Sequence, residues 1–250
     1  MIYYLVRGHI WKHTMTKSLL LYKKDFELVS KLSLITYRKK IWHITERTIN
    51  PYFENSFFNA LDQQIKDRLL SLKDDDYIVP IDDDDWASPN LNIKKADFIT
   101  WDTYKLHISE KAIYSKTYSE TPKDFFTGVN YPVENVLSCC YAISGRLLKA
   151  ANTVGLMEKI LLRHNTVKQN IVKLNQLTGS LFSEHHINNK LSVAVRHIGS
   201  NTSSKRKIGP EFYNTMRTRI ENFSSAQIDI PERWMENRVL ELQKVYKEML

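Results

Sequence analysis

The chain has few of the residues that interrupt or cross-link a protein fold. Its 250 residues include only seven glycines, seven prolines and two cysteines. So few glycines and prolines leave little room for disordered linkers. Cys139 and Cys140 are adjacent within an apolar run, so the sequence predicts two reduced core thiols and excludes a disulfide-stabilised scaffold.

Long apolar runs are also missing. No stretch approaches the roughly 20 apolar residues that cross a bilayer. The N-terminal segment does not resemble a signal peptide, because Arg7, His9, Lys12 and His13 interrupt its apolar residues. We therefore expect no transmembrane segment and a cytoplasmic protein.

Acidic residues are scarce except in one region. The net charge is +8, and seven of the 28 acidic residues lie at 74–76 and 82–85. The other 21 stand against 36 basic residues, a balance of +15. A basic body around one acidic segment favours a polyanionic partner, whether nucleic acid, an anionic glycan or a membrane surface.

The acidic segment follows an apolar one. Residues 77–81 have the length and β-branched composition of a buried strand, which Pro80 restricts to an edge position or to its last residues. Aspartate is a poor strand former, so the strand should end at Asp82 and place the carboxylates where ligands bind in open α/β sheets. Clustered carboxylates repel one another, and Mg²⁺ or Mn²⁺ would remove that cost. A solvated acidic turn, or a loose Ca²⁺ loop, is the alternative.

An Asp-x-Asp pair at the end of a hydrophobic strand, continued by Asp85 and Trp86, resembles the signature of the nucleotide-sugar glycosyltransferases of the GT-A fold. The resemblance implies that Asp82 faces the ribose of the donor and supports the metal. It implies that Asp84 holds Mn²⁺ or Mg²⁺, and that Asp85 and Trp86 complete the nucleotide-sugar site.

Two arginines follow the first two predicted strands. Strand, helix and strand over residues 2–6, 14–24 and 32–37 predict a βαβ unit. In the family that the chain resembles, the ends of these strands cradle the nucleotide, so Arg7 and Arg38 are expected to contact it. Two ordinary surface arginines are the alternative.

Later segments extend the resemblance. A strand passing into a helix over residues 136–149, with Ser144 as N-cap, is similar to a segment of GT-A enzymes. The stretch 196–204 resembles the rhamnosyltransferase-like branch, which implies that His197 completes the metal shell. Glu184 matches the place of an acidic residue before a helix that lines the acceptor pocket. It is implied to be the general base if the transfer inverts the anomeric centre.

A basic loop follows. Lys205, Arg206 and Lys207 are expected to bind the phosphates of the acceptor or another polyanion. A solvated basic loop is the alternative.

The remaining elements complete the predicted order. We expect helices at 53–72 and 154–177, an antiparallel strand pair at 97–104 and 112–118, a turn at 128–132 and a strand at 191–195. A C-terminal helix begins after Pro231, and its apolar seam is predicted to pack on the domain; the seam comprises Met235, Val239, Leu242, Tyr246 and Met249.

These features predict a single α/β domain with a mixed, mostly parallel sheet flanked by helices and a helical C-terminal cap. Its parts would be a nucleotide-binding half at 1–95, an acceptor half at 96–207 and the cap at 208–250. The resemblance implies an enzyme that moves a sugar from a nucleoside diphosphate sugar, first of all a UDP-sugar, to a hydroxyl of a glycan or of a hydroxylated base in DNA. A Mg²⁺-dependent nuclease and a non-enzymatic basic nucleic-acid-binding protein are the alternatives.

Overall fold

The computed structural model describes more than half of the chain. The described residues are 1–11, 41–49, 57–58, 61, 63–82, 85–93, 96–108, 125–129, 139–163, 166–196, 218, 221–248 and 250. The predicted helix at 14–24 and the predicted strands at 32–37 and 112–118 lie outside them. Those three predictions stay predictions.

The described part is an α/β structure. Its strands are β1 (Ile2–Trp11), β2 (Ile41–Ile49), β3 (Phe57–Phe58), β4 (Tyr77–Asp82), β5 (Trp86–Ala87), β6 (Phe98–His107), β7 (Phe126–Val129), β8 (Tyr141–Ser144) and β9 (Glu184–Arg196). Its helices are α1 (Gln63–Leu70), α2 (Gly145–Thr153), α3 (Met157–Leu162), α4 (Val167–Thr178) and α5 (Glu236–Glu248), and a 3₁₀ turn (Arg233–Met235) precedes α5.

All nine described strands belong to one sheet. Its order is β3-β2-β1-β4-β8-β6-β9-β5, and β7 also pairs with β6. The pairs β1–β2, β1–β4 and β6–β9 are parallel, and the other five pairs are antiparallel. The sheet is therefore mixed, as expected. Its five longest described strands, β1, β2, β4, β6 and β9, run in one direction, whereas β8 runs against both of its neighbours, β4 and β6.

Two predicted boundaries also change. The helix expected from residue 53 begins only at Gln63, because Phe57 and Phe58 pair with β2 instead. Gly128, expected in a turn, lies in β7 opposite Tyr104. In both places tertiary pairing overrides the local pattern.

Apolar side chains form two main cores on the sheet. The larger one joins β4, β6 and β8 to α1–α4 and includes Phe98, Tyr141 and Leu147. The second lies under α5, where Met235, Val239, Leu242 and Tyr246 pack with side chains from β5, β6 and β9. These four positions of the predicted C-terminal seam are buried. The sheet also runs without a break across the boundary expected at residue 95, through the β4–β8 pair.

Candidate active site

The carboxyl end of β4 lies beside the middle of β1. The two strands are parallel, and their register places Arg7 directly opposite Asp82. Asp82 is the last residue of β4, and every residue of that strand from Ile78 onward is buried, so the apolar run delivers this carboxylate to the strand end as expected. Asp82 therefore ends β4 where open α/β sheets bind ligands. Arg7, expected to follow the first strand, instead lies within β1, which continues to Trp11 because it stays paired with β2.

Asp85 returns the chain toward the sheet. Its N–H donates to the Asp82 carbonyl (3.1 Å), which closes a tight turn. Its Oδ1 accepts from the N–H of Val195 (3.1 Å), near the end of β9. Asp82 is 9% exposed and Asp85 only 1%. Asp85 thus fixes the acidic turn against β9, a partner that the sequence pattern did not indicate.

Trp86 is an internal side chain. It opens β5 opposite Val193, is fully buried and belongs to the core under α5. Its ring lies 5.6 Å from the guanidinium carbon of Arg238, which also lies 5.0 Å from the ring of Trp234. The expectation that Trp86 lines the nucleotide-sugar site is therefore corrected. A fully buried indole anchors the acidic turn to α5 and offers no face to a ligand.

A small apolar cluster includes residues on both sides of the acidic turn in the chain. It contains Ile81, Ala87, Cys139 and Ala194, and Tyr4 packs against it. Both cysteines are buried and free, as the sequence predicts. Burial raises the pKa of Cys139 well above its usual value, and the nearby charge of Asp85 raises it further. The thiol therefore stays protonated and acts as a packing group.

Arg238 brings a positive charge to the same region. Burial raises the pKa of the Tyr4 hydroxyl, and the Arg238 charge opposes that rise. Tyr4 thus lies within electrostatic reach of α5 across the carboxyl end of the sheet. Nothing in the sequence distinguishes Arg238 from other helical arginines, and we find it only through its contacts.

Glu184 lies far from the acidic turn. It begins β9 opposite Phe98, whereas Val195, which binds Asp85, lies opposite Leu106. Eight residues of β6 separate these positions, roughly 25 Å of extended strand. The side chain is 50% exposed, lies 3.6 Å from Lys168 and begins a strand where a helix was expected. The assignment of Glu184 as the general base beside Asp82 is therefore wrong, because the two residues occupy opposite ends of the sheet.

Several expected site residues lie outside the described part of the chain: Arg38, Asp84, His197, Lys205, Arg206 and Lys207. Within the described ranges, no group of three or more His, Cys, Asp and Glu side chains is arranged to hold a metal ion. Asp82 supplies a buried carboxylate at a strand end, which is the hard oxygen donor that Mg²⁺ and Mn²⁺ prefer. One Asp85 oxygen is already engaged by Val195, so Asp82 fits a metal better than Asp85 does.

Comparison with known proteins assigns no family. No protein-family model matches the chain, and no curated protein sequence matches it significantly. In the described residues, no helix has both the length and the apolar character that crossing a membrane requires.

Proposed function

We propose that this protein is a metal-dependent glycosyltransferase that uses a nucleoside diphosphate sugar. The observation that carries the proposal is the placement of the acidic turn. A buried carboxylate, Asp82, ends a buried parallel strand beside the backbone of Arg7, and Asp85 fixes the following turn to β9. A mixed sheet in which β1 is parallel to both β2 and β4 also supports it.

The acidic residues have different tasks in this proposal. Asp82 and Asp84 hold Mn²⁺ or Mg²⁺, with His197 as the third ligand that the resemblance implies. Asp85 positions the turn and does not contact the donor. A bound divalent ion would supply positive charge that stabilises a diphosphate leaving group.

The basic residues bind the donor. Arg7 lies opposite Asp82 in register and Arg38 follows the second predicted strand, so both contact the nucleoside diphosphate, with UDP as the first candidate. The acceptor is a hydroxyl of a glycan or of a hydroxylated base in DNA. The basic balance of the chain outside the acidic segment favours an anionic acceptor.

Calorimetry with UDP and GDP, with and without Mn²⁺, tests the proposal. A diphosphate is repelled by bare carboxylates at close range, so binding should require the metal and disappear in EDTA. Asp82→Asn and Asp84→Asn should each abolish metal-dependent binding, because each removes a ligand charge at nearly constant volume. Thermal unfolding of each variant reports whether it folds.

The chain offers a matched control for these variants. Asp75→Asn makes the same charge change at an exposed residue before the start of β4, at the opposite end of that strand. It should bind nucleoside diphosphates as the wild type does. Tight binding that neither EDTA nor the Asp82 and Asp84 substitutions weaken would overturn the proposed site.

A further inference from the structure

A polar stretch interrupts the apolar face of β6. Phe98 belongs to the core under α1–α4, and Leu106 belongs to the core under α5. Between them, alternate residues on the same face are Thr100, Asp102 and Tyr104. Polar groups between two apolar cores carry a desolvation cost, so their presence calls for a physical reason.

His186 on β9 contacts two residues of this polar stretch. Its Nδ1 lies 3.1 Å from Thr100 Oγ1, and its Nε2 lies 3.2 Å from Asp102 Oδ1. The second contact is an electrostatic one, because the ring is not directed at the carboxylate well enough for a hydrogen bond. The Asp102 side chain keeps 10% of its surface exposed and the His186 side chain 21%, whereas Thr100 is fully buried. Solvent therefore reaches both Asp102 and His186.

The partner strand bulges at this point. One residue separates Trp101 from Thr103 on β6, but four separate their partners, Ile187 and Ser192, on β9. Lys190, within the bulge, is the register partner of Asp102. Bulges re-aim side chains and are enriched next to active sites.

Further charged groups border the bulge. The Lys190 ammonium lies 5.6 Å from the ring of Tyr104. Burial raises the pKa of Tyr104, and the charge of Glu232 and the hydrogen bond that Tyr104 donates to it raise it further. Asp102 thus contacts His186 and lies opposite Lys190 in register, and Lys190 and Glu232 both interact with the nearby Tyr104.

Asp102 lies level with Asp82 across the sheet. Ile78 on β4 and Phe98 on β6 both pair with Ile143 of β8. Asp82 and Asp102 each lie four residues further along strands that run in the same direction. Two strand spacings separate them, about 10 Å between backbones.

Cys139 supports this proximity independently. It packs with Ile81, the residue before Asp82, and its thiol lies 3.8 Å from the hydroxyl of Thr103, the residue after Asp102. It also lies within electrostatic reach of Asp85. The residues next to Asp82 and Asp102 therefore contact one and the same side chain, Cys139.

We propose that Asp102 is the general base of the transfer, with His186 as the residue that positions it. This inference rests on the proposed function. It assigns to Asp102 the removal of the acceptor proton, for which Glu184 lies too far from Asp82. The acceptor hydroxyl gives its proton to the Asp102 carboxylate as its oxygen forms a bond to the anomeric carbon from the face opposite the diphosphate. The bond from that carbon to the diphosphate oxygen breaks, and its electron pair leaves with the diphosphate.

Hydrolysis of the donor tests the assignment without a known acceptor. The probes are UDP-glucose, UDP-N-acetylglucosamine, GDP-mannose and dTDP-rhamnose with Mn²⁺, and the readout is nucleoside diphosphate release to water. Asp102→Asn should bind the donor within about twofold of wild type but release the diphosphate at least about a hundredfold more slowly. Glu184→Gln, the matched carboxylate at the far end of β9, should change neither quantity.

Sodium azide separates a base from a structural residue. Azide attacks the anomeric carbon through nitrogen and has no proton to lose, so it needs no base. With azide as acceptor, Asp102→Asn should release diphosphate within a few-fold of the wild-type rate under the same conditions. His186→Gln should slow release to water about tenfold at unchanged donor binding, and azide should restore it too, as expected of a positioning residue.

Each other outcome rejects the assignment in an identifiable way. An Asp102→Asn rate equal to wild type in water, or a slow rate that azide does not restore, overturns the general-base role. If Asp102→Asn does not fold, an unaffected His186→Gln rate overturns it. A wild-type chain that binds a donor but releases no diphosphate to water or azide overturns it while leaving donor binding intact. Failure of the wild type to bind any donor overturns the proposed function and this assignment with it.

Discussion

Asp97 is the most heavily hydrogen-bonded carboxylate among the described residues. Its Oδ1 accepts from Ser144 Oγ and Arg146 Nε, both at 2.9 Å, and Arg146 also donates to Oδ2. Its Oδ2 accepts from the N–H and hydroxyl of Ser183 at 2.9 and 3.0 Å. These contacts join the start of β6, the end of β8 and the segment before β9. Asp97 therefore ties three adjacent strands together at the end of the sheet opposite the acidic turn.

The charge of Asp97 should stabilise the fold in a pH-dependent way. Burial alone would raise its pKa, but the hydrogen bonds from Arg146, Ser183 and Ser144 lower it to about 2 from 3.8. Because the pKa is lower in the folded state than in the unfolded chain, the ionised carboxylate stabilises the fold at any pH above the unfolded-state pKa. At neutral pH this contribution is about 2 kcal/mol. That stability is lost as the pH falls from about 4 to about 2.

Urea denaturation at several pH values checks this expectation. Asp97→Asn should lower the free energy of unfolding by about 2 kcal/mol at pH 7, and the difference from wild type should shrink toward pH 2. Asp75→Asn, at an exposed carboxylate, serves as the control and should change stability by less than about 0.5 kcal/mol. If the free energies of unfolding of wild type and Asp97→Asn differ by the same amount from pH 7 to pH 2, the charge of Asp97 does not stabilise the fold.

The sequence predicts the role of a single residue well when that role depends on its neighbours in the chain. The end of β4 at Asp82 and the capping of α2 by Ser144 follow from strand and helix propensities, and the structure confirms both. The partner of Asp85 and the position of Glu184 depend on which strands become neighbours. Asp85 and Val195 are 110 residues apart in the chain, so a local sequence pattern cannot predict their contact.

The strand-to-helix connection of β8 and α2 is the best-defined element junction. The Ser144 hydroxyl accepts from the Leu147 N–H (3.1 Å), the N-cap contact expected from the sequence. Gly145 follows, and a Cβ at this position would lie 2.1 Å from the backbone carbonyl oxygen of Lys73. The helix therefore begins in direct contact with the segment that leads into β4. Glycine is required here by close backbone approach, and helix propensity would favour alanine.

Gly145→Ala should destabilise the protein although alanine is the better helix former. Propensity alone predicts a gain of up to about 1 kcal/mol, whereas relieving a backbone clash in a packed core costs typically about 1–3 kcal/mol. We expect a net decrease of about 1–2 kcal/mol in the free energy of unfolding, measured with urea. Asn152→Ala, at an exposed position of α2, should stay within about 0.5 kcal/mol of wild type. A Gly145→Ala variant as stable as wild type would contradict the close approach of α2 to Lys73.

Elements with clear apolar periodicity are predicted better than those defined by pairing. The predicted seam is correct at three positions of α5 and at Met235 in the preceding 3₁₀ turn, because a helix buries one stripe of side chains whichever element it packs on. β9 is predicted only at 191–195, but it extends from Glu184 through the bulge opposite Asp102. Its polar first half carries no strand pattern, since it is paired on the sheet without being part of an apolar core.

Charge distribution is the property that belongs to the whole molecule. The acidic turn is embedded in a chain with a balance of +15 outside residues 74–76 and 82–85. Asp82 lies opposite Arg7 of β1 in register, and the guanidinium carbon of Arg238 on α5 lies 5.6 Å from the ring of Trp86, the residue after Asp85. A basic surround with an acidic centre favours a polyanionic partner, and duplex DNA is the member of that class proposed as an acceptor whose binding is simplest to test.

If DNA is the acceptor, duplex affinity should fall steeply with salt, because each neutralised phosphate releases condensed counterions. Alanine replacement of residues 205–207 should reduce the slope of log K against log salt by about one unit for each phosphate-binding side chain that is removed, up to about three. Nucleoside diphosphate binding should not change, since these three residues are assigned to the acceptor and not to the proposed donor site. The charge-matched control replaces Arg68, Lys159 and Arg163, three exposed basic residues on or next to α1 and α3. Fluorescence anisotropy titrations between low and physiological salt measure both slopes. Equal slopes for the two triple variants would show that the effect comes from net charge and not from residues 205–207. If the wild type has no duplex affinity at low salt, the acceptor is a saccharide and not DNA.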